Sequence, residues 1–293
     1  MKQHKLIYGG AILMREINTK IIEDTIRDLC IEANYYLGDD IKESLKDSRD
    51  KESYPIAQNV LDKIIINADI AATQDVPMCQ DTGMACVFLD IGQDVHFVGG
   101  LLEDAINNGV RRGYVEGYLR KSVVKDPIDR VNTKDNTPAL IYYNIVEGDK
   151  VKITVAPKGF GSENMSRVGM LKPADGLEGV KEFILETVRL AGPNPCPPMV
   201  IGVGIGGSFD KVAYLAKKAL IRPINIRNDN KFYADLEEEL LQKINDMGIG
   251  PQGFGGRTTA LGLNIETYPT HIAGLPVAVN VNCHATRHKE KTI

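Results

Sequence analysis

Four prolines fall within six residues, Pro193, Pro195, Pro197 and Pro198, and they bracket a single cysteine, Cys196. Each proline lacks an amide donor and restricts the residue before it, so this segment can be neither helix nor interior strand. Regular structure must be built on either side of a rigid, extended loop that presents a thiol. Two more cysteines have comparable surroundings: Cys79 in the run VPMCQDTGM and Cys283 in NVNCHATRH. Each has turn-formers or polar residues beside it, and none lies in an apolar periodic pattern. Cys30 (IRDLCIEAN) and Cys86 (MACVFLDIG) do lie in such patterns and read as buried small hydrophobes.

Three loop cysteines suggest iron–sulfur chemistry. Thiolates hold such clusters, and a cubane needs four protein ligands to close all its irons. Three ligands leave one iron open, and an open position lets a metal act as a Lewis acid. Spacing alone leaves a shared metal undecided. Five cysteines in 293 residues are too sparse for a disulfide scaffold, and the absence of any CxxC pair argues against a zinc ribbon or thioredoxin motif.

The remaining composition is that of a soluble globular protein. Hydrophobic residues make up 43% and charged residues 25%, and the net charge is −4, so nucleic acid and anionic membranes are not expected partners. No apolar run approaches the ~18 residues of a membrane span, and the start lacks a signal-peptide pattern. A cytoplasmic protein is expected, with residues 1–14 as a disordered extension ahead of one cluster-binding catalytic domain at 15–293.

Helical periodicity dominates 15–75, with Ile17, Ile21, Ile22, Ile26, Leu29 and Cys30 on one face. From 76 onward short β-rich runs alternate with helical segments, one of them running from Leu101 to Val124. The expected fold class is α+β: a helical N-terminal layer followed by a mixed α/β catalytic domain that binds the cluster.

Several motifs carry further signals. Gly202-Val-Gly-Ile-Gly-Gly207 matches GxGxxG, but no strand ending in Asp or Glu follows about twenty residues on. The same glycines would offer backbone amides at a helix start, suiting an anion or close approach to a cluster. The run KGFGSEN at 158–164 reads either as an amide-lined loop for a carboxylate or as a plain turn. Gln80 and Asp81 follow Cys79, placing an amide and a carboxylate beside the proposed open iron, where substrate orientation and proton transfer are wanted. Arg120 and Lys121 could anchor an acidic substrate or be surface charges, and His271 lies in a loop-like stretch.

Taken together, CQDTGM at 79–84, the LRKSVVKDP–NTKDNTPA stretch at 119–139, KGFGSENMSR at 158–167, residues 194–220, GIGPQGFGG at 248–256 and NCHATRH at 282–288 resemble the class I fumarate hydratases. These are iron–sulfur hydro-lyases. The likeness runs from about 20 to 288 and covers only the family's cluster-bearing part, as in the alpha subunit of the two-subunit form. It implies a beta subunit carrying the C-terminal β/α/β module, and assembly as a dimer of alpha–beta units. It further implies that Cys79, Cys196 and Cys283 bind a [4Fe–4S] cluster whose fourth iron takes a dicarboxylate, fumarate or L-malate. Gln80, Asp81, Arg120 and Gly161 would contact substrate carboxylates, with Asp81 also handling protons. His271 falls where the family carries a histidine reaching a neighbouring active site. L-Tartrate dehydratase alpha subunits share the cysteine pattern. Ser162, where no cysteine stands in the glycine loop, looks more like the fumarate version. A different class would be an iron–sulfur electron-transfer or sensor protein; pure electron transfer would favour a closed cluster with a fourth cysteine.

Overall fold

A computed structural model describes residues 14–293, so the extension expected at 1–14 lies, but for Met14, outside the described residues. The chain opens with β1 (Arg15–Asn18), α1 (Thr19–Tyr35), α2 (Asp39–Lys51) and α3 (Pro55–Gln74). Next come β2 (Met84–Gly92), β3 (Val95–Val98), α4 (Leu102–Glu116), β4 (Leu140–Val146), β5 (Val151–Lys158) and the single-turn α5 (Phe160–Glu163). The remainder is β6 (Arg167–Leu171), α6 (Gly176–Ala191), β7 (Met199–Gly206), α7 (Phe209–Ala219), α8 (Lys231–Asn245), β8 (Ala260–Tyr268), β9 (Leu275–Asn282) and β10 (Lys289–Thr292). The expected α+β composition is present, with two corrections. The N-terminal helical layer is preceded by a strand, and the helix expected through Val124 stops at Glu116. None of the described helices is long and apolar enough to cross a membrane.

These elements form two compact units. One combines the described residues up to Glu32 with Met84–Ala156 and Lys289–Ile293; the other combines Ala33–Gly83 with Pro157–His288. In the first, a four-stranded sheet runs β10-β5-β2-β4, and β1 pairs with β3 in parallel. Its α1 and α4 meet through a small-residue stripe. A β-carbon at Gly109 would stand 2.6 Å from the Glu23 carbonyl oxygen, and one at Gly113 2.7 Å from Cys30 Cβ. Cys30 and Cys86 are buried in this unit, as their apolar settings suggest.

The second unit is a sheet of order β6-β9-β7-β8 with helices on both faces. Strand alternation sorts the side chains. Met199, Ile201 and Val203 of β7 and Val277, Val279 and Val281 of β9 face one way, against Val180, Ile184 and Val188 of α6 and Leu236, Leu240 and Ile244 of α8. On the other face Ala278 packs with Val212 and Ala216 of α7. Nearby, α2 and α3 supply Ile41, Leu45, Leu61 and Ala68, which bury Val200 and Leu261.

The glycine run of β7 takes its meaning from this layering. Gly202 and Gly204 lie inside the strand instead of ahead of a helix, and a β-carbon on either would overlap α7 backbone, at the Ala216 and Val212 carbonyls. Only Gly206 and Gly207, at φ 91° and 72°, form the turn into α7. The motif therefore lets a helix sit directly on the sheet. Gly202→Ala is expected to cost about 1–3 kcal/mol through overpacking, read as a thermal midpoint lower by several degrees. An unchanged midpoint would show that α7 can lift off the strand freely.

Candidate active site

The antiparallel register of β7 and β9 sets Val200 opposite Asn282, so the loop entering β7 and the loop leaving β9 open at the same end of the sheet. The first carries Cys196 and the second Cys283. His284 N donates to the Cys196 carbonyl at 3.3 Å, tying one loop to the other. Cys196 has φ 54°, a left-handed conformation that costs a side-chain-bearing residue about 1–2 kcal/mol. The surrounding chain holds it there. Backbone N and side-chain Nε2 of Gln252 both donate to the Pro197 carbonyl at 2.8 Å, and Gly253 lies so close to Pro193 that a β-carbon would stand 2.4 Å away without displacement. The clasping loop is fixed in turn by buried Glu52, whose carboxylate accepts from Arg257 N at 2.7 Å.

Cys79 arrives from the loop after α3. Asn67 Nδ2 donates to the Met78 carbonyl at 2.8 Å, and Met78 N to the Asn34 carbonyl at 3.0 Å. Beyond it, Asp81 accepts from Gly83 N at 3.0 Å and from Phe160 N at 2.8 Å, joining the cysteine loop to the glycine loop. Gly83, at φ 72°, allows contact with the Lys158 backbone, which a β-carbon would overlap.

One cavity gathers these loops. Its walls include Cys79, Gln80, Asp81, Gly161, Ser162, Asn194, Cys196, Asn282, Cys283 and Arg287. Its space, about 130 Å³, is roughly ten times what a single water requires. Gly161 keeps that space open, since a β-carbon there would meet only the Asn194 carbonyl, 4.0 Å away. Burial pushes the Cys196 and Cys283 thiols above their ordinary pKa, opposed at Cys283 first by the nearby Arg287 guanidinium. Burial, and then Arg287, also pushes His284 down to about 4; its Nδ1 finds no hydrogen-bond partner among the described residues.

Of the residues singled out in the sequence, seven line this cavity: the three cysteines, Gln80, Asp81, Gly161 and Ser162. Arg120 does not. It is exposed and belongs to the other unit, between α4 and β4. His271 is exposed on the β8–β9 connection, beside Ile272 at 92% exposure, and is absent from the cavity wall. Three residues that sequence reasoning passed over are prominent here: Arg287, Lys158 and Gln252. Each lies within a quoted motif, but only tertiary contacts reveal what its side chain holds.

The glycine loop rests on a buried charge network. Lys158 Nζ donates to the Val281 carbonyl at 2.8 Å and Ser162 Oγ at 3.0 Å, and pairs with Glu163 at 3.2 Å. Glu163 also receives Lys217 Nζ at 2.6 Å and Asn280 Nδ2 at 2.8 Å. Burial alone would raise the Glu163 pKa, but Lys158 and Lys217 outweigh it and hold the carboxyl at about 2.

Comparison with known proteins follows the same outline. A family model described as fumarate hydratase (Fumerase) matches residues 23–292. A Methanocaldococcus jannaschii protein, provisionally named L(+)-tartrate dehydratase subunit alpha, is 45% identical over 279 residues, covering 93% of this chain and 97% of its own length. The L(+)-tartrate dehydratase subunit alpha of Escherichia coli strain UTI89 is 34% identical over 255 residues, with 86% and 84% coverage. The protein of the same name from Shigella boydii serotype 4 is similar to the same degree, 34% over 255 residues.

The network behind the glycine loop makes acid stability testable. Because the folded pKa of Glu163 lies below its reference value of 4.5, its stabilisation is complete above that pH and fades as pH falls toward 2. Glu163→Gln leaves two lysines facing a neutral amide. The expected loss at neutral pH is about 2–3 kcal/mol, below the 3–5 of a fully buried pair because a quarter of the Glu163 side chain is exposed. Denaturant titrations at pH 7 and pH 3 should show a smaller gap between variant and wild type at the lower pH; an equal gap at both would refute the charge argument.

Proposed function

The chain belongs to the fumarate hydratase (Fumerase) family and is a hydro-lyase; on that premise we propose that it interconverts fumarate and L-malate at a [4Fe–4S] cluster held by Cys79, Cys196 and Cys283. One observation carries this reading: three cysteines from three separate loops line a single cavity whose wall also holds Gln80, Asp81 and Gly161.

The donor set suits such a cluster. Among the described residues no group of three His, Cys, Asp or Glu side chains could hold one metal ion. Iron–sulfur clusters are held by cysteine thiolates, and the three cysteines line one cavity of about 130 Å³. When bound, the cluster would supply a Lewis-acidic iron without a protein ligand, polarising the hydroxyl that leaves as water.

The chain's own residues would do the rest. Gln80 presents an amide beside Cys79, with Oε1 3.6 Å from the Cys79 sulfur, and can orient a substrate carboxylate or hydroxyl. Asp81 joins the Cys79 loop to the glycine loop, its Oδ1 accepting from Gly83 N and its Oδ2 from Phe160 N, and retains lone pairs for proton handling. Gly161 leaves room for a carboxylate beside the backbone of its loop. Arg120 and His271 enter as proposals: a carboxylate anchor and a group acting in a neighbouring active site. The alpha-subunit names of the relatives support a separate beta subunit as partner; assembly as a dimer of alpha–beta units and a cytoplasmic location belong to the same proposal.

L-Tartrate dehydration is the second reading, favoured by the names of those relatives. The Ser162 signal that pointed to fumarate is weakened by geometry, because its hydroxyl is taken up by Lys158 Nζ and the Gly159 carbonyl.

Two outcomes are expected. After oxygen-free reconstitution, Cys79→Ser, Cys196→Ser and Cys283→Ser should each lose the cluster's visible absorbance and bound iron, whereas Cys30→Ala and Cys86→Ala keep both. Full loading of the Cys196 variant would remove that residue from the ligand set. The chain alone should be inactive and gain activity with its beta subunit, assayed on fumarate, mesaconate and L-tartrate side by side. If kcat/KM is highest for tartrate, the second reading replaces the first.

A further inference from the structure

Arg287 is 5% exposed, yet among the described residues its guanidinium has no carboxylate partner. Its hydrogen bonds all go to neutral acceptors. Nη2 donates to the Asp81 carbonyl at 2.6 Å, Nη1 to the Ala285 carbonyl at 2.9 Å, and Nε to Asn34 Oδ1 at 3.1 Å. The first two acceptors lie two residues beyond Cys79 and two beyond Cys283, so one side chain ties together two of the three cysteine loops. The same residue lines the cavity that all three cysteines share.

A buried cation left uncompensated carries a desolvation penalty of several kcal/mol. Three neutral acceptors satisfy hydrogen bonds but supply no opposite charge. Lys158 shows the contrast within this same unit: it is 4% exposed and meets the Glu163 carboxylate at 3.2 Å. What Arg287 faces instead is a cavity walled by three thiols, the groups that become anionic when they ligate a metal.

We propose that Arg287 is the positioning residue of the cluster site and its electrostatic counterpart, joining the Cys79 and Cys283 loops while its charge offsets that of the thiolate-bound cluster. This rests on the iron–sulfur reading above. Cluster potentials depend on net charge and on hydrogen bonding around the sulfurs. A fixed positive charge favours the reduced, more negative cluster, so removing it makes reduction harder.

The test compares the anaerobically reconstituted wild type with Arg287→Gln, Arg287→Lys and Asn34→Asp, each held with its beta subunit. The cluster's midpoint potential is read by spectroscopically monitored redox titration, and iron release under a chelator is followed in parallel. Arg287→Gln, which removes the charge, should shift the potential to more negative values and speed iron release several-fold. Arg287→Lys, which keeps the charge but not the fork between two loops, should hold the potential near wild type while iron release still quickens. Asn34→Asp is nearly isosteric and gives the guanidinium a carboxylate partner. It should shift the potential in the same direction as the glutamine variant, and it decides the matter if that variant does not fold. Potentials unchanged in both Arg287→Gln and Asn34→Asp would overturn the electrostatic role, and iron release unchanged in the lysine variant would overturn the tether. A wild-type protein that loads no cluster would instead defeat the underlying functional reading, a failure visible before any variant is compared.

Discussion

The pairing of β7 with β9 is the interaction on which the candidate site depends. Antiparallel register puts the beginning of one strand beside the end of the other, and these are the two points where the chain leaves the sheet to present Cys196 and Cys283. A shift of one residue would turn every side chain of the moved strand to the opposite face. Val277, Val279 and Val281 would then lose the α6–α8 core, so burial of the apolar face fixes the geometry of the thiols. The glycines of β7 contribute from the other face, where only a strand without side chains lets α7 lie against it.

Charge around the site is arranged in two ways, and the difference is informative. Behind the glycine loop, Lys158 and Lys217 share the Glu163 carboxylate, a closed network whose work is structural. Beside the cysteines, the Arg287 cation is spread over two carbonyls and an amide oxygen. Neutral acceptors hold the guanidinium in place without quenching its field, so the positive potential remains directed at the cavity. Burial raises the thiol pKa values at Cys196 and Cys283, and at Cys283 the guanidinium works against that rise.

Much of this was legible in the sequence where local chemistry decides the outcome. Proline crowding alone required the Cys196 loop, and apolar periodicity correctly separated Cys30 and Cys86 from the three loop cysteines. The glycine run at 202–207 was readable as special but not as to purpose, because the same pattern serves a phosphate loop or a helix seat, and the atoms that decide are on α7. Likewise β1 was hidden in a helical pattern, since four residues pairing with Val95–Val98 leave no periodicity of their own. Arg287 and Gln252 were invisible as functional residues. Nothing in the identity of an arginine or a glutamine announces which distant carbonyl it will reach.

Gln252 shows how such remote contacts fix the candidate site. Cys196 is held in a left-handed conformation that an isolated peptide would leave, and its loop has no helix or strand hydrogen bonds to retain it. Two donors from one residue on the Pro197 carbonyl, and a glycine packed against Pro193, close off the alternatives. That clasp is itself anchored through Arg257 N to Glu52, at the entry to α3, and α3 leads directly into the Cys79 loop. Two of the three thiols are thus positioned from the two ends of one helix, and Arg287 joins the third to this frame. Thiols fixed in this way would lose little freedom on binding the proposed cluster, the condition under which three residues so far apart in sequence could ligate strongly.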